Sequence, residues 1–95
     1  MAERIVLDDA SKPKLPRHAK LRFDKARDKW VILAPERVFE LDEIAHAVIS
    51  LCDGETTLVG VIDKLAEKFE APREVIARDV ANMLQRLADR GFVVA

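Results

Sequence analysis

The sequence has few of the residues on which many proteins depend. Its 95 residues include one cysteine, two histidines, one tryptophan and no tyrosine. A single cysteine forms no internal disulfide and cannot by itself hold an iron–sulfur cluster, so Cys52 is predicted to be a buried structural thiol. Apolar runs are too short to cross a membrane, and Asp8 and Asp9 interrupt the one near the N-terminus, which therefore does not resemble a secretory signal. These absences favour a cytoplasmic protein.

The histidines lack the neighbours that metal binding or nucleophilic catalysis requires. His46 has no Cys or His three or four residues away, and neither His46 nor His18 belongs to a recognisable nucleophile motif. No glycine-rich phosphate loop is present, and a domain of this size rarely encloses a substrate pocket. We therefore expect no metal, no cofactor and no enzymatic activity.

Glycine and proline are too scarce to mark an internal linker, so the chain is predicted to form one domain. Residues 1–17 have mixed charge, contain Pro13 and Pro16, and show no hydrophobic period. This composition predicts a flexible N-terminal arm or linker over residues 1–17 and a folded domain over residues 18–95.

The folded part is predicted to begin with three short strands. Alternating apolar and charged residues around Leu21 and Phe23 indicate a half-buried strand, and Trp30–Leu33 is a second one. Pro35 ends the second strand, and Arg37–Leu41 forms the third. The expected result is a small antiparallel sheet with an unpaired edge.

Three helices are predicted to follow. Asp42 is a good N-cap for the first, Thr56 or Thr57 for the second, and Pro72 suits the first turn of the third, which ends near Gly91. Their predicted buried stripes are Ile44, Val48, Leu51 and Cys52; Leu58, Val61, Ile62, Leu65 and Phe69; and Ile76, Val80, Met83, Leu84 and Leu87. The fold class is therefore predicted to be α+β: a three-stranded antiparallel sheet followed by three helices, with a winged helix-turn-helix-like shape.

The distribution of charge distinguishes two binding functions. Residues 1–29 carry nine Lys or Arg against five Asp or Glu, although the net charge of the whole chain is −1. The predicted third helix mixes arginines with Glu74, Asp79 and Asp89, which is typical of a solvated face and unlike a DNA-reading helix. A winged-helix DNA-binding module therefore remains the alternative, and an open sheet edge beside a helix favours capture of an extended peptide.

Several motifs resemble the coenzyme PQQ synthesis protein D family, PqqD, over about residues 16–94. They are Trp30-Val31-Ile32-Leu33-Ala34-Pro35-Glu36-Arg37, Leu51-Cys52-Asp53-Gly54, Ala71-Pro72-Arg73, Asp79-Val80 and the terminal Gly91. One departure is the hairpin turn Ala26-Arg27-Asp28, which lacks the glycine expected there in relatives.

The resemblance implies a peptide chaperone in pyrroloquinoline quinone biosynthesis. Members of the family bind the ribosomal precursor peptide PqqA and present it to the radical SAM enzyme PqqE, and some are fused behind the pathway enzyme PqqC. In the wider group of recognition elements for ribosomally made, modified peptides (RiPPs), the leader peptide adds as a strand beside the third strand and contacts the third helix. Carried onto this chain, this implies peptide contacts at Arg37, Val38, Phe39, Glu40 and Leu41 of the strand and at Val75, Arg78, Asp79 and Asn82 of the helix. A basic hairpin, comprising Lys20, Arg22, Lys25, Arg27 and Lys29, is expected to be a solvated surface, with attraction of an acidic partner as the alternative.

Overall fold

The computed structural model describes residues 5–95 and shows a three-stranded sheet followed by three helices. The strands are β1 (Lys20–Asp24), β2 (Lys29–Ala34) and β3 (Arg37–Leu41). The helices are α1 (Glu43–Ser50), α2 (Leu58–Phe69) and α3 (Arg73–Asp89). The predicted α+β class, with three antiparallel strands before three helices, is confirmed.

The sheet has β2 at its centre, which leaves β1 and β3 as its two edges. Both strand pairs are antiparallel, and Trp30 of β2 lies opposite Phe23 of β1 and Leu41 of β3. Because side chains alternate along a strand, Phe39 and Leu41 share the face that packs on the helices, whereas Val38 is exposed on the other face. β3 therefore presents one free edge beside the helical layer.

Both hairpin turns place a non-glycine residue in the left-handed region. Asp28 has φ 55° between β1 and β2, and Glu36 has φ 60° between β2 and β3. Aspartate tolerates this conformation better than most residues, which explains why the first turn forms without glycine. The Asp24 carboxylate supports that turn by accepting a hydrogen bond from the Ala26 N–H at 3.0 Å.

Side-chain caps fix the starts of the first two helices. The Asp42 carboxylate accepts a hydrogen bond from the Ala45 N–H at 2.7 Å, as the sequence predicts. At α2, Thr57 rather than Thr56 is the N-cap, because its hydroxyl accepts from the Gly60 N–H at 3.1 Å. Each cap satisfies one amide that has no partner within the helix.

The core lies between the inner face of the sheet and the three helices. Its most deeply buried members include Ile32, Val48, Val61, Leu84 and Val93. The predicted stripe of α1 was wrong at one position, because Ile44 is 56% exposed and the buried residues of that helix are Ala45, Val48 and Ile49. One residue corresponds to about 100° of rotation in a helix, so a stripe centred on Val48 and Ile49 turns Ile44 outward.

The N-terminal segment is packed against the domain instead of forming the flexible arm expected for residues 1–17. Lys14 and Val94 exchange two backbone hydrogen bonds of 2.8 and 2.9 Å, and the Leu58 N–H donates to the Ser11 carbonyl at 2.7 Å. Pro13 is fully buried. The backbone and a proline ring make these contacts, so the sequence shows no hydrophobic period. Residues 1–4 of the predicted arm lie outside the described residues.

Cys52 is buried, as predicted, at the end of the first helical region. Its thiol lies 3.2 Å from the Val48 carbonyl oxygen, to which it donates. Burial, with a smaller contribution from the negative charge of Asp53, raises the pKa of the thiol to about 12. In the part of the chain that the structure describes, no helix is both long and apolar enough to span a bilayer.

Candidate functional site

A groove runs along the inner side of β3, between that strand, the start of α1 and one face of α3. We call it the β3–α3 groove, and its volume is about 370 Å³. It is lined by Phe39, Glu40, Asp42, Ile44, Ala45, Val48, Ile76, Asp79, Val80, Met83 and Arg86. The groove therefore follows the free edge strand and is walled by helices on its other sides.

The surface of the groove is mainly apolar. Val48 and Val80 are buried at its base, and Phe39 and Met83 are half-buried in its walls. Ile44 projects from the first turn of α1 with 56% of its surface exposed. Because a large aliphatic side chain gains free energy when it is removed from water, this rim favours contact with an apolar side chain of a ligand.

The two ends of the groove differ in charge. At the α1 end, Glu40 and Asp42 line the groove, and the Glu40 carboxylate lies 3.4 Å from the Lys29 Nζ and 3.7 Å from the Arg27 Nε. These pairs use two cations of the basic hairpin, and exposed pairs of this kind contribute little free energy.

The opposite end, near the C-terminus of α3, is basic. A smaller hollow of about 120 Å³ lies there, and Arg86 and Arg90 line it together with Phe39. The Arg37 guanidinium lies 4.2 Å from the centroid of the Phe92 ring, and that of Arg90 lies 5.8 Å from the Phe39 ring. Three arginines, Arg37, Arg86 and Arg90, therefore lie at this end of the groove.

The structure places the strand residues implied by the resemblance on two faces of β3. Phe39 and Glu40 line the groove, Arg37 lies at its basic end, Val38 is 47% exposed on the outer face, and Leu41 is buried in the core. All five remain predicted contacts, because an added strand would run alongside all of them whatever the direction of their side chains, and would bond to the backbone of alternate residues.

The implied helix residues are placed differently. Asp79 lines the groove, whereas Val75, Arg78 and Asn82 are not among its lining residues. Asn82 borders a separate, shallow hollow on α3, and the Arg78 Nε lies 3.6 Å from the Asp79 carboxylate. The other residues that α3 contributes to the groove are Ile76, Val80, Met83 and Arg86.

The sequence reasoning missed most groove residues because it assigned them to the core. Ile76 and Met83 belong to the predicted buried stripe of α3, and both are half-buried at the margin of that stripe. Ile44 was likewise assigned to the buried stripe of α1. An apolar residue at the edge of a stripe has the same sequence signal whether it faces the core or a ligand groove.

The structure offers little for bond-making chemistry in the groove. Cys52 and Asp53, whose pKa values are shifted, are not among the groove residues. The pKa of Asp53 is lowered because its carboxylate accepts hydrogen bonds from the N–H groups of Glu55 and Thr56, both at 2.8 Å. Within residues 5–95, no three side chains of the His, Cys, Asp or Glu types are grouped so as to hold a metal ion.

Comparison with protein families gives one match that covers most of the chain. The family described as coenzyme PQQ synthesis protein D (PqqD) matches residues 29–93. A curated relative from Rhodopseudomonas palustris (strain BisB5), named PqqA binding protein, is 55% identical over 94 residues, which cover 98% of this chain and 92% of the relative.

Two solved structures are also similar. The solution structure of the PqqD truncation of Methylobacterium extorquens PqqCD, described as a functional and stand-alone RiPP recognition element, has a TM-score of 0.80 and 38% identity. The match covers 94% of this chain and 95% of that one. The crystal structure of PqqD from Xanthomonas campestris has a TM-score of 0.56 and 39% identity, covering 88% and 93% of the two chains.

Proposed function

Because this chain belongs to the coenzyme PQQ synthesis protein D (PqqD) family, we propose that it binds the ribosomal precursor peptide PqqA in pyrroloquinoline quinone biosynthesis. The peptide adds as a fourth strand along the free edge of β3, with alternate side chains directed into the β3–α3 groove. Backbone hydrogen bonds to the strand supply affinity that does not depend on sequence, and the groove supplies specificity.

One observation carries this proposal: the free edge of β3 lies directly beside an apolar groove. Ile44, Phe39 and Met83 provide exposed or half-buried apolar surface along that edge. An exposed edge strand is normally a liability for aggregation, and a bound peptide covers it. The combination suits an extended ligand with apolar residues at alternate positions.

The difference in charge between the groove ends favours one orientation of the peptide. Acidic residues of PqqA are expected near Arg37, Arg86 and Arg90, and basic residues near Glu40 and Asp42. Complementary charges at the rim mainly set register and association rate, and they contribute less to the total affinity.

The domain acts by binding, and we expect no catalytic step within it. Holding the otherwise disordered peptide in one conformation raises its effective concentration at PqqE, the radical SAM enzyme to which the peptide is presented. Association with PqqC is a further expectation, since the similar Methylobacterium domain comes from a PqqCD protein. We expect this binding to occur in the cytoplasm, where a free thiol such as that of Cys52 stays reduced.

The winged-helix alternative, DNA binding, has less support from the charges of α3. The Arg73 Nε lies 2.7 Å from the Asp63 carboxylate, and Arg78 lies beside Asp79. A helix that reads DNA needs several cations free to contact phosphates and bases. The carboxylates beside these arginines would repel the phosphate backbone.

Titration of unlabelled PqqA into the ¹⁵N-labelled protein tests the proposal. The largest backbone amide shifts are expected in residues 37–41, at Ile44 and along the groove face of α3 from Ile76 to Arg86. A peptide of the same composition with a scrambled sequence is the control. Shifts confined to β1 or α2, or the same shifts with the scrambled peptide, would contradict the proposed site.

A further inference from the structure

A second concave surface lies at the end of the sheet, on the other side of the first turn of α1. We call it the aromatic cleft, and its volume is about 560 Å³. Phe23 of β1, Trp30 of β2 and His46 of α1 supply its rings. The remaining lining residues are Asp28, Lys29, Glu40, Leu41, Asp42 and Glu43.

The three rings are in contact with one another and partly open to solvent. Trp30 and His46 are stacked with centroids 4.3 Å apart and planes inclined by 14°, and Phe23 meets Trp30 edge-on at 5.5 Å. Phe23 is 45% exposed and Trp30 36%. Exposed aromatic faces attract cations, and tryptophan does so most strongly.

The charges around the rings favour a cationic ligand. Four carboxylates line the cleft against one lysine, Lys29, which lies 3.4 Å from the Glu40 carboxylate. Asp42 is occupied as the N-cap of α1. Asp28 and Glu43 form no ion pair within residues 5–95, so their negative charges remain available to a ligand.

We propose that the aromatic cleft is a docking site for an arginine side chain of the protein that receives the bound peptide. A guanidinium is planar, stacks on aromatic rings and forms two hydrogen bonds with one carboxylate, so it suits both the exposed rings and the carboxylates of Asp28 and Glu43 better than an ammonium group does.

The position of the cleft explains why the receiving protein, and not the peptide, is its occupant. Phe23 and Trp30 belong to β1 and β2, whereas an added peptide strand lies beyond the free edge of β3. Glu40 and Asp42 border both sites, whereas the rings and the carboxylates of Asp28 and Glu43 line the cleft alone. A peptide in the groove therefore leaves the rings and these two carboxylates open, and both ligands can be held at once. The identity of the receiving protein rests on the proposed function, whereas the binding of a cation does not.

Trp30 makes the site directly observable. It is the only tryptophan and the chain has no tyrosine, so intrinsic fluorescence reports on the cleft. Acetylated, amidated tetra-arginine is titrated at low ionic strength into the full chain, with tetra-glutamate as the control ligand. We expect a saturable change in fluorescence with tetra-arginine alone, weakened by added salt because exposed charges are screened.

Two matched variants test the placement. Glu43→Gln removes a carboxylate of the cleft from the first turn of α1, and Glu74→Gln makes the same change in the first turn of α3, outside the cleft. The first variant is expected to weaken tetra-arginine binding at least threefold and the second to leave it unchanged. In ¹⁵N spectra the largest shifts should occur at Phe23, Trp30, Glu43 and His46.

Three results would overturn the proposal: no saturable binding, equal weakening by both variants, or displacement of tetra-arginine by PqqA. PqqA binding to the Glu43→Gln variant separates this proposal from the proposed function. Unchanged PqqA affinity, together with weakened tetra-arginine binding, supports two independent sites. If tetra-arginine binds in the cleft while PqqA does not bind the groove, the cation site stands and the proposed function fails.

Discussion

The ring of Phe39 packs against the ring of Phe92, with centroids 5.5 Å apart and planes inclined by 55°. Phe39 lies in the edge strand β3, and Phe92 is a core residue that follows α3. The pair therefore holds the edge strand at a fixed distance from the end of α3. Because core packing sets this distance, the β3–α3 groove exists before a ligand arrives, and binding costs mainly the ordering of the peptide.

Replacing Ile44 with glutamate is expected to weaken PqqA binding at least tenfold. The side chain is 56% exposed at the groove rim, so the change removes apolar contact with the peptide and adds a charge beside Asp42, with little effect on the core. Burial of such a side chain on binding contributes roughly 1.5–3 kcal/mol, which corresponds to about a tenfold or larger change in affinity. Isothermal titration calorimetry measures the effect.

Val75→Glu is the matched control for that change. Val75 is also a β-branched, 40% exposed helix residue, but it does not line the groove. We expect the affinity of the Val75→Glu variant for PqqA to stay within about twofold of the affinity of the original protein. A larger loss with Val75→Glu than with Ile44→Glu would favour the helix contacts implied by family resemblance over those that line the groove.

Deletion of residues 1–15 is expected to destabilise the domain by about 2–4 kcal/mol, because several net hydrogen bonds of about 0.5–1.5 kcal/mol each are lost. The lost contacts include the Lys14–Val94 pair, the Ser11 carbonyl bond to Leu58 and the buried ring of Pro13. Urea unfolding followed by Trp30 fluorescence measures the change.

A shorter deletion, of residues 1–6, tests whether those particular contacts are responsible. It leaves Pro13 and the Lys14–Val94 pair in place and removes the hydrogen bond from the Gln85 side chain to the Ile5 carbonyl. This deletion should lower the free energy of unfolding by about 1 kcal/mol or less. If both deletions lower it equally, the Lys14–Val94 pair does not contribute to stability.

The carboxylate of Asp53 is expected to make stability depend on pH in the acid range. Its folded pKa lies below the ordinary value of 3.8 because backbone N–H groups of Glu55 and Thr56 donate to it. A depressed folded pKa contributes stability that is present above pH 3.8 and is lost as the pH falls through the lower, folded value. The free energy of unfolding of the original protein should therefore exceed that of the Asp53→Asn variant by less below about pH 4 than at neutral pH. If urea titrations show the same difference in free energy of unfolding from pH 7 to pH 2, this prediction is wrong.

The Cys52 thiol is expected to be unreactive in the folded protein. Its pKa of about 12 leaves almost no thiolate at pH 8, and the side chain is buried. Ellman's reagent should modify it within minutes in urea and far more slowly without urea. Rapid modification under native conditions would show that the region opens locally.

The Cys52 thiol also affects how stability depends on pH. Because its folded pKa lies above the ordinary value of 9.0, it contributes stability that is lost as the pH rises above about 9.

The elements of the fold could be predicted from the sequence because their signals are local. The N-cap at Asp42, the bounds of β3 and the order of strands and helices follow from turn chemistry and hydrophobic period. The packing of the N-terminal segment could not be predicted in this way. It depends on backbone pairing between Lys14 and Val94, which are 80 residues apart and leave no period in either segment.

The composition of the groove was less predictable than its position. Resemblance to a family indicates that β3 and α3 face one another, but the rotation of α3 about its axis decides which residues line the gap. A shift of one position along the helix, which is about 100° of rotation, separates Ile76 from Val75 and Met83 from Asn82. Sequence spacing defines such a stripe only to within about one residue at each margin.

The Lys14–Val94 bridge also determines how the domain responds to mechanical load. The two segments are antiparallel, so the chain leading to Lys14 and the chain leaving Val94 depart from the same end of the bridge. A force that pulls the two chain ends apart therefore breaks the two hydrogen bonds of the bridge one after the other, instead of loading both at the same time. The contact of Ser11 with Leu58 of α2 lies between the N-terminal end and the bridge, so the N-terminal segment separates from α2 first, and the domain is expected to begin unfolding there when it is tethered at both ends.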